Sequence, residues 1–158
     1  MKSLLTAIAL TVASAAVTAA ESATKNAYVG DADQGKSKSA TCSACHGSEG
    51  NSAAADYPKL AGQHASYLAS TLRAYRDGSR ENAIMAGLAA VLSDEDIADL
   101  SVYYATQSVS SGAVQPDLLE RGEQLYRFGD SEKGISACAA CHGPTGVGLA
   151  SAVFPSLK

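Results

Sequence analysis

Apolar residues return at helical spacing along much of this chain, and nowhere at the alternating spacing of a strand. From Ala65 to Asp77 they fall at Leu68, Leu72 and Tyr75, and Gly78 ends the run. Ser93-Asp94-Glu95-Asp96 reads as an N-cap followed by acids in the first helical turn. The helix it opens shows Ile97, Leu100 and Tyr104 on one face. A short N-terminal helix is predicted from Ala32 to Ala44, running into the first cysteine pair, and another from the cap Asp117 to about Arg127. Between the last two helices lies TQSVSSGAVQP, Thr106 to Pro116, a polar stretch with linker character. At the other end, Lys2 precedes an uncharged run from Leu4 to Ala20, small residues close it, and Glu21 opens the polar chain. That pattern predicts a secretory signal over residues 1–20 and export to the periplasm of a bacterium-like cell. The run is too short and too weakly apolar to be a membrane span.

The remainder repeats itself. Cys42-Ser43-Ala44-Cys45-His46-Gly47 returns as Cys138-Ala139-Ala140-Cys141-His142-Gly143, and Gly50 returns as Gly146. Tyr57-Pro58-Lys59-Leu60 then matches Phe154-Pro155-Ser156-Leu157 after a one-residue insertion. The expected organisation is all-α: a first domain over 21–107, a linker over 108–116 and a second domain over 117–158. Unit one runs on from Leu60 to Gln107, whereas unit two stops just after Leu157. If the copies are of equal length, about 45 to 50 residues of the second are missing, and the sequence reads as a C-terminally truncated piece.

Composition narrows the chemistry. The formal charge is −4 over 158 residues, and near −5 without the signal, so the basic surplus of a nucleic-acid binder is absent. The charge density is too low, and the apolar periodicity too regular, for a disordered chain. Four cysteines in an exported protein would ordinarily pair as disulfides. Here each pair is followed directly by a histidine, which plain disulfides do not explain, and the βαβ context of a thioredoxin-type motif is absent. A zinc site would gather thiolates around one metal, but these pairs sit in separate repeats.

C-x-x-C-H is the attachment motif of c-type haem. Positions i and i+3 of a helical turn face one side, so Cys42 with Cys45, and Cys138 with Cys141, can each reach the two vinyl groups of one porphyrin. His46 and His142 then offer an imidazole to the iron. Two covalent haems also answer a stability problem, since alanine-rich units of this size have marginal cores. For the sixth ligand of haem one, Met85 is the only methionine after the signal. It lies between the two long predicted helices, on an expected loop that can lay the thioether on the opposite haem face. His64, at a helix start, is the rival and is expected to face solvent. Haem two has neither Met nor His after His142. Pro58 and Pro155 follow their histidines by 12 and 13 residues, and each offers a carbonyl that can take the Nδ1 proton.

These two units, with Pro58-Lys59-Leu60-Ala61-Gly62-Gln63, Asn82-Ala83-Ile84-Met85 and Leu92-Ser93-Asp94-Glu95-Asp96-Ile97, resemble the cytochrome c4 family of two-haem class I cytochromes c. The resemblance covers unit one and the first half of unit two. It implies two tandem class I domains, with His46 and Met85 on haem one and His142 on haem two. It also implies an electron carrier rather than an enzyme, moving electrons from the respiratory chain toward a terminal oxidase, with loose membrane association in some members. The alternative is the cytochrome subunit of a periplasmic dehydrogenase complex, for example in sulfide or alcohol oxidation. Gly122 and Tyr126 match the Gly-x-x-x-aromatic pair of the family's N-terminal helix, while Gly35 and Ser39 match it less well.

Overall fold

The computed structural model describes residues 29–158, so the expected signal segment lies outside the described residues. In order, the α-helices are α1 (Ala32–Lys38), α2 (Ala40–His46), α3 (Ala65–Asp77), α4 (Ala83–Ala89), α5 (Asp94–Ala105), α6 (Pro116–Phe128) and α7 (Ala139–His142). Two short 3-10 turns, Ser131–Lys133 and Ala150–Ala152, complete the set. Among the described residues there is no sheet. Two isolated bridges, Asp130 with Ile135 and Leu149 with Phe154, close tight turns in unit two.

The predicted helices are present, with instructive differences. The expected Ala32–Ala44 helix breaks at Ser39 and resumes to end on His46. The Ser39 hydroxyl turns back onto the Lys36 carbonyl, a local bond that competes with helix continuation. In unit two Gln115 is the N-cap and Pro116 the first helical residue, where a missing N–H costs nothing. Ser93 makes a full capping box with Asp96. The linker is not free of unit one. Asn51 binds the Ser108 carbonyl and the Ser110 N–H, and the Lys59 ammonium binds Ser110.

Unit one is built on α5. Helix α1 crosses it on one side and α3 packs on another, while α4 leans on α3. The core gathers Leu68, Leu100, Tyr103 and Tyr104, with Cys42, Leu60 and Leu92 against it. Where α1 crosses α5, Asp99 is fully buried. One of its oxygens takes the Asp31 N–H at 2.7 Å, and the other takes the Lys38 ammonium at 2.6 Å. Lys38 also reaches Asp96 at 2.8 Å.

The Lys38 bond, joined by the Ser93 hydroxyl, pulls the Asp96 carboxyl down to about 2. A carboxyl lowered in the folded state adds stability above its ordinary range and loses it as pH falls toward 2. Asp96→Asn is therefore expected to melt slightly below the parent at neutral pH. The gap should close as pH drops from about 4 to 2. Thermal unfolding of the holoprotein across that range checks this; a gap independent of pH would contradict it.

In unit two, α6 packs on α7, and Arg121 pairs with Asp130 at 2.6 Å. The two units meet through α3 and the Leu149–Phe154 turn.

Candidate haem sites

Helix geometry assembles the first site. Cys42, Cys45 and His46 all lie on α2, with the cysteines one turn apart and the histidine at the helix end. The four cysteines are free thiols in the structure, and the i, i+3 arrangement presents each pair on one side of its turn. Cys42 is the more enclosed of the first pair. Burial pushes its thiol pKa up. Unit two repeats the arrangement on α7, with Cys138 and Cys141 exposed.

Each histidine is fixed in the same way. His46 Nδ1 lies 2.8 Å from the Pro58 carbonyl, and His142 Nδ1 lies 2.8 Å from the Pro155 carbonyl. A carbonyl only accepts, so Nδ1 carries the proton and Nε2 keeps its lone pair for a metal. The hydrogen bond from Nδ1 to the carbonyl also makes Nε2 a stronger donor to a metal. Both rings have an aromatic neighbour: Tyr57 stands edge-on to His46 at 6.3 Å between centroids, and Phe154 is tilted against His142 at 6.2 Å. The sequence repeat aligned these aromatics but did not reveal that they brace the imidazoles.

The loop that brings Pro155 to His142 is tightly wound. A Cβ on Gly148 would meet the Phe154 and Pro155 carbonyl oxygens at 2.4 Å, and its φ is +78°. Only glycine fits there. Val153, in the same turn, has φ of 59°, a sparsely populated conformation for a β-branched residue, and it lies next to the residues that hold His142.

Met85 is placed on a short helix rather than a loop. Asn82 caps α4 by accepting the Met85 N–H at 3.0 Å. Helix α4 packs on α3, α3 on α5, α5 on α1, and α1 on α2, so the Met85 and His46 helices sit at opposite ends of one packing order and do not touch. His64 does not face solvent freely. Its Nε2 is 2.7 Å from the Val147 carbonyl of unit two, and it is half-buried.

Two features escaped the sequence. The Tyr104 hydroxyl is buried without a hydrogen-bond partner. Burial, with Cys42 alongside, pushes its pKa up to about 12. Gln63 reaches across to unit two and bonds Ser156 twice. Neither had a signal in composition or periodicity; Gln63 stood only inside the Pro58–Gln63 stretch that carried the resemblance.

The donor chemistry fits haem c: paired unbridged thiols on one helical turn, an imidazole with a free Nε2, and a thioether on a separate helix. Among the described residues no group of three or more His, Cys, Asp or Glu could hold a metal ion, which leaves no zinc cluster there.

This fold and motif define a class I c-type cytochrome, and a cytochrome c family model matches residues 32–108. The chain is 48% identical over 128 residues to cytochrome c4 of Pseudomonas aeruginosa, covering 81% of this chain and 64% of that one. It is 45% identical over 132 residues to cytochrome c4 of Thiocapsa roseopersicina, covering 82% and 68%. The crystal structure of reduced recombinant cytochrome c4 from Pseudomonas stutzeri superimposes with a TM-score of 0.77 at 42% identity, over 82% of this chain and 73% of that one. The chain belongs to the cytochrome c4 family. It spans about two thirds of the length of these curated relatives. A protein named thiosulfate dehydrogenase electron acceptor, from Thiomonas intermedia, is 43% identical over 76% of this chain and 57% of that one.

Proposed function

We propose that the protein is a periplasmic two-haem electron carrier, exported by its N-terminal signal, that binds no substrate for bond-breaking chemistry. The observation that carries this reading is the repeated imidazole geometry: His46 on Pro58 and His142 on Pro155, each at 2.8 Å. Two independent copies of one iron-facing arrangement suit two covalent haems. Cys42 and Cys45 would hold the first, with His46 and Met85 offering the nitrogen and sulfur to its iron. Cys138 and Cys141 would hold the second, with His142 offering its nitrogen. When bound, haem supplies an iron that alternates between ferric and ferrous states.

The chain's own residues do the rest. The cysteines would tether each ring as thioethers, the prolines and aromatics fix each imidazole, and the α5 core keeps the first site rigid. Such rigidity keeps reorganisation small as charge comes and goes. The partners are redox proteins, an electron donor from the respiratory chain and a terminal oxidase as acceptor. Similarity to a thiosulfate dehydrogenase electron acceptor favours one second reading, in which the donor is a periplasmic dehydrogenase.

Protein matured in a cell with haem-attachment machinery is expected to carry two haems that survive acid–acetone extraction. Cys138→Ala with Cys141→Ala should leave one. Intact mass reads both; a parent mass with one haem or none overturns the two-haem reading. Co-purification with an oxidase or with a dehydrogenase separates the two partner readings.

A further inference from the structure

The Pro155–Ser156 peptide group is bonded at both ends. Its carbonyl takes the His142 Nδ1 proton at 2.8 Å. Its N–H donates to the side-chain oxygen of Gln63, in unit one, at 2.8 Å. The Gln63 amide nitrogen donates back to the Ser156 carbonyl at 3.0 Å. The orientation of that amide is settled by its partners: the oxygen also accepts the His64 N–H at 2.9 Å, so it faces two donors while the nitrogen faces an acceptor. Gln63 is itself partly buried, as is Ser156.

Hydrogen bonds in a chain polarise one another. A peptide whose N–H has a good acceptor becomes a better acceptor at its own carbonyl. A stronger bond from His142 Nδ1–H makes Nε2 a stronger donor to a metal, and a stronger imidazole donor favours ferric iron. The geometry points to Gln63 as a positioning residue for haem two, acting from unit one through the Pro155–Ser156 peptide to set the donor strength of His142. This rests on the reading that His142 ligates a haem held by Cys138 and Cys141. Gln63 touches neither haem ligand. Its effect on the second iron is transmitted by one peptide group across the boundary between the units.

A second contact crosses the same boundary without touching that peptide, from His64 Nε2 to the Val147 carbonyl. It provides the control. In the two-haem holoprotein, Gln63→Leu is expected to raise the midpoint potential of haem two and to move the His142 Nδ1–H resonance of the reduced protein upfield. The His46 resonance should stay in place, since Pro58 takes no bond from Gln63; it also reports that unit one is folded. His64→Ala loosens the same boundary and should leave the His142 resonance near its parent position. Unchanged His142 resonance and potential in Gln63→Leu overturn the relay. So does an equal shift in His64→Ala, because the effect would then be loosening of the boundary alone. Absence of haem at Cys138 and Cys141 in the parent overturns the underlying reading instead, and intact mass tells that failure apart.

Discussion

Met85→Ala is expected to lower the potential of haem one by about 0.1–0.3 V, a modest part of the ~0.8 V span that axial ligands control. A thioether opposite an imidazole favours ferrous iron, and its removal takes that preference away. The weak absorption toward the red edge that marks a ferric iron–thioether bond should vanish with it. Helix α4 has little reason to unfold in the variant. Its cap is the Asn82 side chain on the residue-85 backbone N–H, which alanine keeps, and alanine is the better helix former. A partly buried Met85 loses some packing, so a small drop in melting temperature is expected as well. The potential and the red-edge band, measured together by spectroelectrochemistry, separate ligation from packing. If both stay unchanged, Met85 is a packing residue. His64 does not then inherit the role easily, since its Nε2 is committed to the Val147 carbonyl.

Gly35→Ala is expected to be the most damaging single methyl in unit one. A Cβ there would stand 2.1 Å from the Asp99 carbonyl oxygen and 2.6 Å from the Tyr103 Cβ. The first is backbone in the middle of α5 and cannot swing aside. Helix α1 must lift away, and the Asp31 and Lys38 bonds to the buried Asp99 would stretch with it. Overpacking of this kind costs about 3 kcal/mol, a fall of roughly 15 °C in Tm for a unit of this size. Thermal unfolding followed by helical circular dichroism checks this; a loss below about 1 kcal/mol would mean that the α1–α5 crossing is looser than the Gly35 contacts imply.

Much of this protein is legible without coordinates. Helical periodicity located α3 and α5 almost to the residue, because Gly78 and Ser93 are strong local stop and start signals whose effect needs no distant partner. The two C-x-x-C-H motifs located both cysteine pairs and both imidazoles, since attachment geometry is set within one turn of helix. The spacing of Pro58 and Pro155 pointed to their carbonyls, and each indeed holds its histidine.

What depended on tertiary structure has a common cause: it joins residues far apart in the chain. The break of the first helix at Ser39 follows a side-chain bond that propensity alone does not rank above continuation. The value of Gly35 lies in how closely α1 approaches α5, sixty-four positions further on at Asp99. His64 looked like a solvent-facing residue at a helix start, which its neighbours in sequence support. Its partner, Val147, belongs to the other unit, as does the Ser156 that Gln63 holds. Sequence by itself brought together the two cysteines and the histidine of each C-x-x-C-H motif, because that spacing is set within one helical turn. Only the packing of unit against unit decided that Gln63 of unit one holds the peptide that carries the His142 bond, since no periodicity records a contact made across ninety-three residues.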